Sequence, residues 1–217
     1  MGRQKLARFE HNANAHNVIE PGKELFEKVR KNWDKEFFKN GNPIVLELAC
    51  GRGEYTIGLA KEYPNRNFVG FDIKGARLWK GSKTAIENGY TNVCFYRHTI
   101  DFLTDYFHEG EVAEIWVVFP DPRPLEKDEK RRLVHQRYID MYKQVMGKGG
   151  VFNFKTDNRE LFDYGLEVVK ANNPQNLIYT HDLYNSEYLP FHHGVQTKYE
   201  LKFLAEGKKI NYLRCEF

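Results

Sequence analysis

Between residues 44 and 156 the chain alternates between two kinds of segment. Short apolar runs, IVLELA (44–49), NFVGFD (67–72), VCFYR (93–97), AEIWVVF (113–119) and VFNFKT (151–156), are separated by stretches of helical spacing. Apolar runs of this length without polar alternation are strands buried on both faces. Helices between them supply the cover, and the outcome is a mostly parallel sheet with helices on both sides. Two later runs, NLIYTHDL (176–183) and KINYLRCEF (209–217), bring the expected sheet to seven strands. Only a short connection precedes the last run, which suits an antiparallel strand added to the edge of the parallel sheet.

The other segments fill in around this frame. Residues 1–20 are polar, carry Arg3, Lys5 and Arg8, and show no period that would bury a face, so a mobile basic arm is expected there. Pro21 opens a helix-like stretch with Leu25, Phe26, Val29, Trp33 and Phe37 at helical spacing. A helix is expected from FPDPRP to about Met146, stopped by GKGG, with Asp157-Asn158 able to cap the next one. Thr197 and Glu200 fit a capping box, and Gly207 can end that helix. No linker or repeat interrupts residues 21–217, which are therefore expected to form one domain. Cys50, Cys94 and Cys215 are too far apart and too few for a disulfide framework, which fits a reducing cytoplasm. The N-terminus has no apolar signal core, so neither export nor a membrane anchor is expected. A net charge of +3 is only mildly basic, so any nucleic-acid reading depends on where the charges sit.

The ends of the strands carry the chemistry. In LELACGRGEY the first apolar strand ends in Glu47, and Gly51 and Gly53 follow in the turn toward a helix. Glycines there let a ligand approach the backbone closely. Asp72 closes the next strand, where an acid can accept hydrogen bonds from both hydroxyls of an adenosine ribose. The dinucleotide fingerprint needs a third glycine, and Thr56 occupies that position. An acid inside the strand, Glu47, suits a ligand with a positive amino group, which points to S-adenosylmethionine over NAD. Both acids could also be plain helix-capping residues. Thr99, Ile100 and Asp101 are candidates for the adenine.

FPDPRP (119–124) follows the 113–119 strand, which neighbours the 44–49 strand across the switch point of a doubly wound sheet. Two prolines stiffen the loop and hold Asp121 toward the crevice. Asp121 is either catalytic or a turn-forming residue. A purine N7 carries a free lone pair and no proton, so its methylation needs no base; a carboxylate would instead hold the ring and stabilise its developing charge. Lys127, Lys130, Arg131 and, further along, Arg137 can share a surface beside it, either as a solvated face or for phosphate contacts. His192-His193 are adjacent, not at metal-ligand spacing, and are expected to be exposed loop histidines.

Together, LELACGRGEY, FVGFDIK, FPDPRP…EKRRL, FNFKTDNRELFDY and TKYELKF resemble the bacterial tRNA (guanine-N7-)-methyltransferases over nearly the whole chain. The resemblance implies a Rossmann-like class I methyltransferase that moves a methyl from S-adenosylmethionine to a guanosine N7 in the tRNA variable loop. It implies that Glu47, Gly51, Gly53, Asp72, Thr99 and Asp121 bind the cofactor, with Asp121 also catalytic. Asp157, Thr197, Tyr199 and Glu200 would form the guanosine pocket, and Lys127, Lys130, Arg131 and Arg132 would meet the RNA. No metal is expected, the location would be cytoplasmic, and the protein would be a monomer or homodimer. The alternatives are a non-catalytic RNA-binding protein on the same fold, or an NAD(P)-dependent dehydrogenase. The chain departs from the family pattern at Ala49 (usually glycine), Thr99 (usually an acid), Arg123 (usually aromatic), Leu125 (usually lysine) and Asp128 (usually histidine).

Overall fold

The structure, a computed structural model, describes residues 3–217, without the side chain of Arg3. It contains eight strands: β1 (Val18–Ile19), β2 (Ile44–Leu48), β3 (Asn67–Phe71), β4 (Val93–Tyr96), β5 (Val112–Val118), β6 (Val151–Thr156), β7 (Gln175–Thr180) and β8 (Asn211–Glu216). They form one sheet in the order β1-β4-β3-β2-β5-β6-β8-β7. Every pair is parallel except those made by β8, which runs antiparallel between β6 and β7. The chain leaves β2 toward β3 and β4 and later returns to β2's other side as β5. This is the topological switch point, and the crevice opens at the carboxyl ends of β2 and β5.

The α-helices among the described residues are α1 (Arg3–Asn14), α2 (Leu25–Lys28), α3 (Glu54–Glu62), α4 (Gly75–Glu87), α5 (Leu103–Tyr106), α6 (Gln136–Met146), α7 (Arg159–Ala171) and α8 (Lys198–Ala205). Because strand side chains alternate, each central strand feeds two cores. Ile44, Leu46 and Leu48 of β2 join Trp33, Tyr142 and Phe162 on one face. Val45 of β2 joins Tyr55, Leu59, Leu78 and Trp116 on the other. Glu47 shares Val45's parity, which aims it at α3.

Four expectations need correction. The sheet has an eighth strand because Val18 and Ile19 pair with Phe95 and Tyr96. The described part of the arm forms α1 and β1 and is docked. Asn12 Nδ2 donates to the Gly75 carbonyl at 2.7 Å, His11 meets Ser82 at 3.0 Å, and Lys23 Nζ donates to the carbonyls of Asn12, Ala15 and Val18. Ala15, Val18 and Ile19 are buried, but the anchors of α1 are polar, so a search for apolar period does not find them; Met1 and Gly2 lie outside the described residues. The stretch after Pro21 is not one helix, since Lys31 adopts a left-handed φ of 58° and its amide turns to the Tyr106 carbonyl. Nor is the helix after FPDPRP continuous. A 3-10 segment, Glu126–Arg131, ends in extended Arg132, and α6 starts afresh with His135 accepting the Arg137 amide.

Candidate active site

Two cavities open at the switch point and meet at Ala49, which lines both. The wider, about 750 Å³, includes Asp72, His98, Thr99, Asp101, Asp121, Lys127, Lys130, Arg131, Arg137 and Tyr138. The smaller, about 310 Å³, includes Glu47, Cys50, Gly51, Arg52, Arg77, Thr197, Lys198, Tyr199 and Lys202.

Asp72 follows β3 and is held by backbone. Its Oδ2 accepts the Gly51 amide at 2.9 Å and its Oδ1 accepts the Lys74 amide at 2.7 Å. Each oxygen keeps a second lone pair, and the residue borders the wider cavity. Glu47 is buried, and its Oε2 accepts both the amide and the hydroxyl of Thr56 at the start of α3. Among the described residues no donor reaches its Oε1. Burial raises its carboxyl to about 7, against the pull of the Thr56 hydrogen bonds and the more distant Lys155.

The glycine turn has two different jobs. A Cβ on Gly53 would sit 2.3 Å from the Phe95 ring, and its φ is 68°, so packing and backbone both require glycine. A Cβ on Gly51 would meet nothing within 4 Å. That open space beside the smaller cavity is room for a ligand against the backbone. Ala49 also takes a left-handed φ, 58°, which costs an alanine on the order of 1 kcal/mol.

Asp121 lines the wider cavity and is exposed; its carboxylate pairs with Arg123 Nε at 3.3 Å. The loop behind it is braced by Arg132, whose Nε donates to the Arg123 carbonyl at 3.1 Å while its guanidinium lies 4.5 Å from the Tyr164 ring centroid. Arg132 therefore holds the loop and does not border the wider cavity, whereas Lys127, Lys130 and Arg131 do. Thr99 hydrogen-bonds Asp101, which also accepts from Tyr138 and pairs with Arg137.

The expected guanosine residues divide. Thr197 and Tyr199 line the smaller cavity, Tyr199 with 61% of its surface exposed. Glu200 lines neither cavity. It completes the capping box of α8 and lies wholly buried, taking both carboxylate hydrogen bonds from Lys155 at 2.9–3.0 Å and further ones from His192 and Tyr184. Burial pushes the Glu200 carboxyl up, but His192 and Lys155 outweigh it and hold it below its usual value. Burial pulls Lys155 down to about 8 against the pull of Glu200, and its ammonium also lies 4.5 Å from the Tyr55 ring centroid. Asp157 is likewise off both cavities, paired with Lys208 at 2.9 Å, and the α7 cap is Asn158. The two histidines are not exposed loop residues: His192 is buried against Glu200, and His193 is half-buried against Tyr63. Lys155, near the end of β6, is fully buried. Sequence reasoning did not single out Arg52, Arg77, Lys198 or Lys202, because they come from three separate elements.

These residues fit S-adenosylmethionine. Asp72 offers paired acceptors to ribose hydroxyls, Glu47 Oε1 offers an unused acceptor to an ammonium, and Gly51 leaves the backbone open between them. Among the described residues no helix is long and apolar enough to cross a membrane, and no three His, Cys, Asp or Glu side chains cluster as metal ligands would.

Comparison with known proteins agrees with this geometry. A family model described as a putative methyltransferase matches residues 41–213. A solved 16S rRNA methyltransferase, KamB, shares the fold with a TM-score of 0.63 at 15% identity, covering 93% of this chain and 98% of that one. Phosphoethanolamine N-methyltransferase 2 of Haemonchus contortus, solved in complex with S-adenosyl-L-methionine, superimposes with a TM-score of 0.53 at 11% identity, covering 98% of this chain and 57% of that one. A tRNA (guanine-N(7)-)-methyltransferase of Cytophaga hutchinsonii is 48% identical over 100% of this chain and 99% of its own. With the acids, the glycine turn and the full-length match in agreement, the chain belongs to the tRNA (guanine-N(7)-)-methyltransferase family.

Proposed function

We propose that this chain is an enzyme that transfers a methyl group from S-adenosylmethionine to N7 of a guanosine in tRNA, and that the guanosine lies in the variable loop. The observation that carries the reading is the pair of cavities joined at Ala49, one floored by Asp72 and the other by Glu47. When bound, S-adenosylmethionine supplies a methyl carbon made electrophilic by its sulfonium. Asp72 would hold the ribose, and Glu47 the amino group. The ammonium would favour the ionised form of Glu47 and offset the burial that raises its carboxyl.

The base would enter beside Thr197 and Tyr199, with Tyr199 as an exposed ring for stacking. Guanine N7 carries no proton, so the chain needs position and charge more than a base. Asp121 is the group placed to hold the purine edge and to stabilise the cationic product ring. For that it must exchange Arg123 for the base. Glu200 and Lys155 act beneath the pocket, fixing α8 so that Thr197 and Tyr199 stay aimed at it. Lys127, Lys130 and Arg131 would take phosphates along the wider cavity. The proposed location is the cytoplasm, which a tRNA substrate favours.

Incubation with unmodified tRNA transcripts and labelled S-adenosylmethionine, followed by digestion to nucleosides, tests the reading. Label is expected in 7-methylguanosine and is lost when the variable-loop guanosine is changed. Asp121→Ala should keep cofactor binding and lose turnover on the order of 100-fold or more. Cofactor binding without any labelled nucleoside would favour the non-catalytic alternative.

A further inference from the structure

The smaller cavity has a collar that the reaction itself does not use. Arg52 comes from the β2–α3 turn, Arg77 from α4, and Lys198 and Lys202 from α8, and all four border this one opening. All are exposed. Among the described residues Arg52, Arg77 and Lys198 are in no ion pair, and Lys202 has only a 3.7 Å contact with Glu206. The other charged groups on the cavity wall are Glu47, which faces the cofactor, and Glu54, whose Oε2 is taken by the Lys198 amide at 2.8 Å. Elsewhere on the surface, cations commonly sit beside an acid on the same helix, as in the Glu24–Lys28, Lys83–Glu87 and Arg159–Asp163 pairs. Four like charges gathered from three elements repel one another, unless a polyanion lies across them.

The geometry points to a second phosphate-binding bank: we propose that Arg52, Arg77, Lys198 and Lys202 grip the tRNA backbone flanking the target guanosine. The ridge of Lys127, Lys130 and Arg131 borders the other cavity, on the far side of the Ala49 seam. A strand laid between the two banks would have its phosphates neutralised on both sides. Its exposed base would then be left over Tyr199, which projects from the same turn of α8 as Lys198. This inference rests on the tRNA reading above, and it adds to the sequence expectation, which named Lys127, Lys130, Arg131 and Arg132 as the RNA contacts.

Salt dependence separates this role from the others. Binding of a tRNA transcript would be measured from 50 to 300 mM salt for the wild-type protein, Arg77→Ala, Lys198→Ala/Lys202→Ala and Lys148→Ala. Each lost phosphate contact should make the log–log slope shallower by about 0.7–0.9. The single variant should therefore lose about one such step and the double variant about two. S-adenosylmethionine affinity, measured separately by calorimetry, should stay within about twofold of wild type. Lys148 sits in the exposed turn before β6, at the opposite end of the sheet, and its variant should keep the wild-type slope. Unchanged slopes with weakened cofactor binding would overturn the proposal, because the cations would then serve the cofactor's carboxylate. Unchanged slopes with unchanged cofactor binding would also overturn it and reduce the collar to a solvated face. If the slopes shift but wild-type protein labels no guanosine, the collar stands and the methylation reading fails.

Discussion

Glu47, in the wall of the smaller cavity, and Glu200, off both cavities at the start of α8, are both buried carboxylates, yet their surroundings are opposite. Glu47 has one oxygen committed to Thr56, no adjacent cation, and one oxygen without a donor. Glu200 is saturated by Lys155, His192, Tyr184 and its own helix cap. Burial raises the first to about 7, and its partners hold the second down. On the proposed reading, an acid that takes a cationic ligand keeps one acceptor open. An acid that shapes the floor is completed by the protein itself.

The largest effect should come from breaking the completed one. Glu200→Ala leaves Lys155 buried and unpaired, a loss of about 3–5 kcal/mol. Thermal unfolding should show a drop on the order of 10 °C. Equal stability would mean that Lys155 finds another partner and that the contrast is false. Glu47→Gln should do the reverse. The amide oxygen still accepts from Thr56, so stability at pH 8 holds or rises, while S-adenosylmethionine affinity falls about 10–100-fold by calorimetry.

A pH series sharpens the same point. The folded protein keeps a proton on Glu47 up to about 7, while an unfolded glutamate releases it near 4.5. The native state therefore binds more protons across that window, and Glu47's contribution to stability declines as pH rises from about 4.5 to 7. Chemical denaturation should show this slope in the wild type and lose it in Glu47→Gln. Cofactor binding, which favours the ionised form, should strengthen over the same window and release a proton, visible in buffers of different ionisation enthalpy. The smallest effect should be at the seam: Ala49→Gly relieves a left-handed alanine and should add about 1 kcal/mol of stability.

Much of this site is legible one strand at a time. Glu47 is the penultimate residue of β2, Asp72 and the two glycines follow strand ends, and period plus punctuation locates strand ends. Asp121 is legible because prolines mark its loop. What the sequence does not show has a shared cause. Arg132, Glu200 and Lys155 are ordinary charged residues by composition, and only the neighbours brought by other elements turn them inward. Arg132 finds the Arg123 carbonyl and Tyr164, and Lys155 finds Glu200 across 45 positions of chain. The docked α1 was missed for the same reason, since asparagine, histidine and lysine side chains hold it where apolar period gives no signal.

By itself the sequence determined the layered α/β sheet, the switch-point crevice and the acids at its strand ends. Burial of apolar runs is a local property with a readable period, and strand order follows from how such runs connect. The tertiary structure decided which charges are paired and which are free. It packed β6 against α8 so that one lysine and one glutamate cancel. It also brought a turn, α4 and α8 to one opening, where four cations gather and, among the described residues, only Lys202 meets an acid. Electrostatic energy depends on distance through space and on the water excluded between charges, and spacing along the chain records neither.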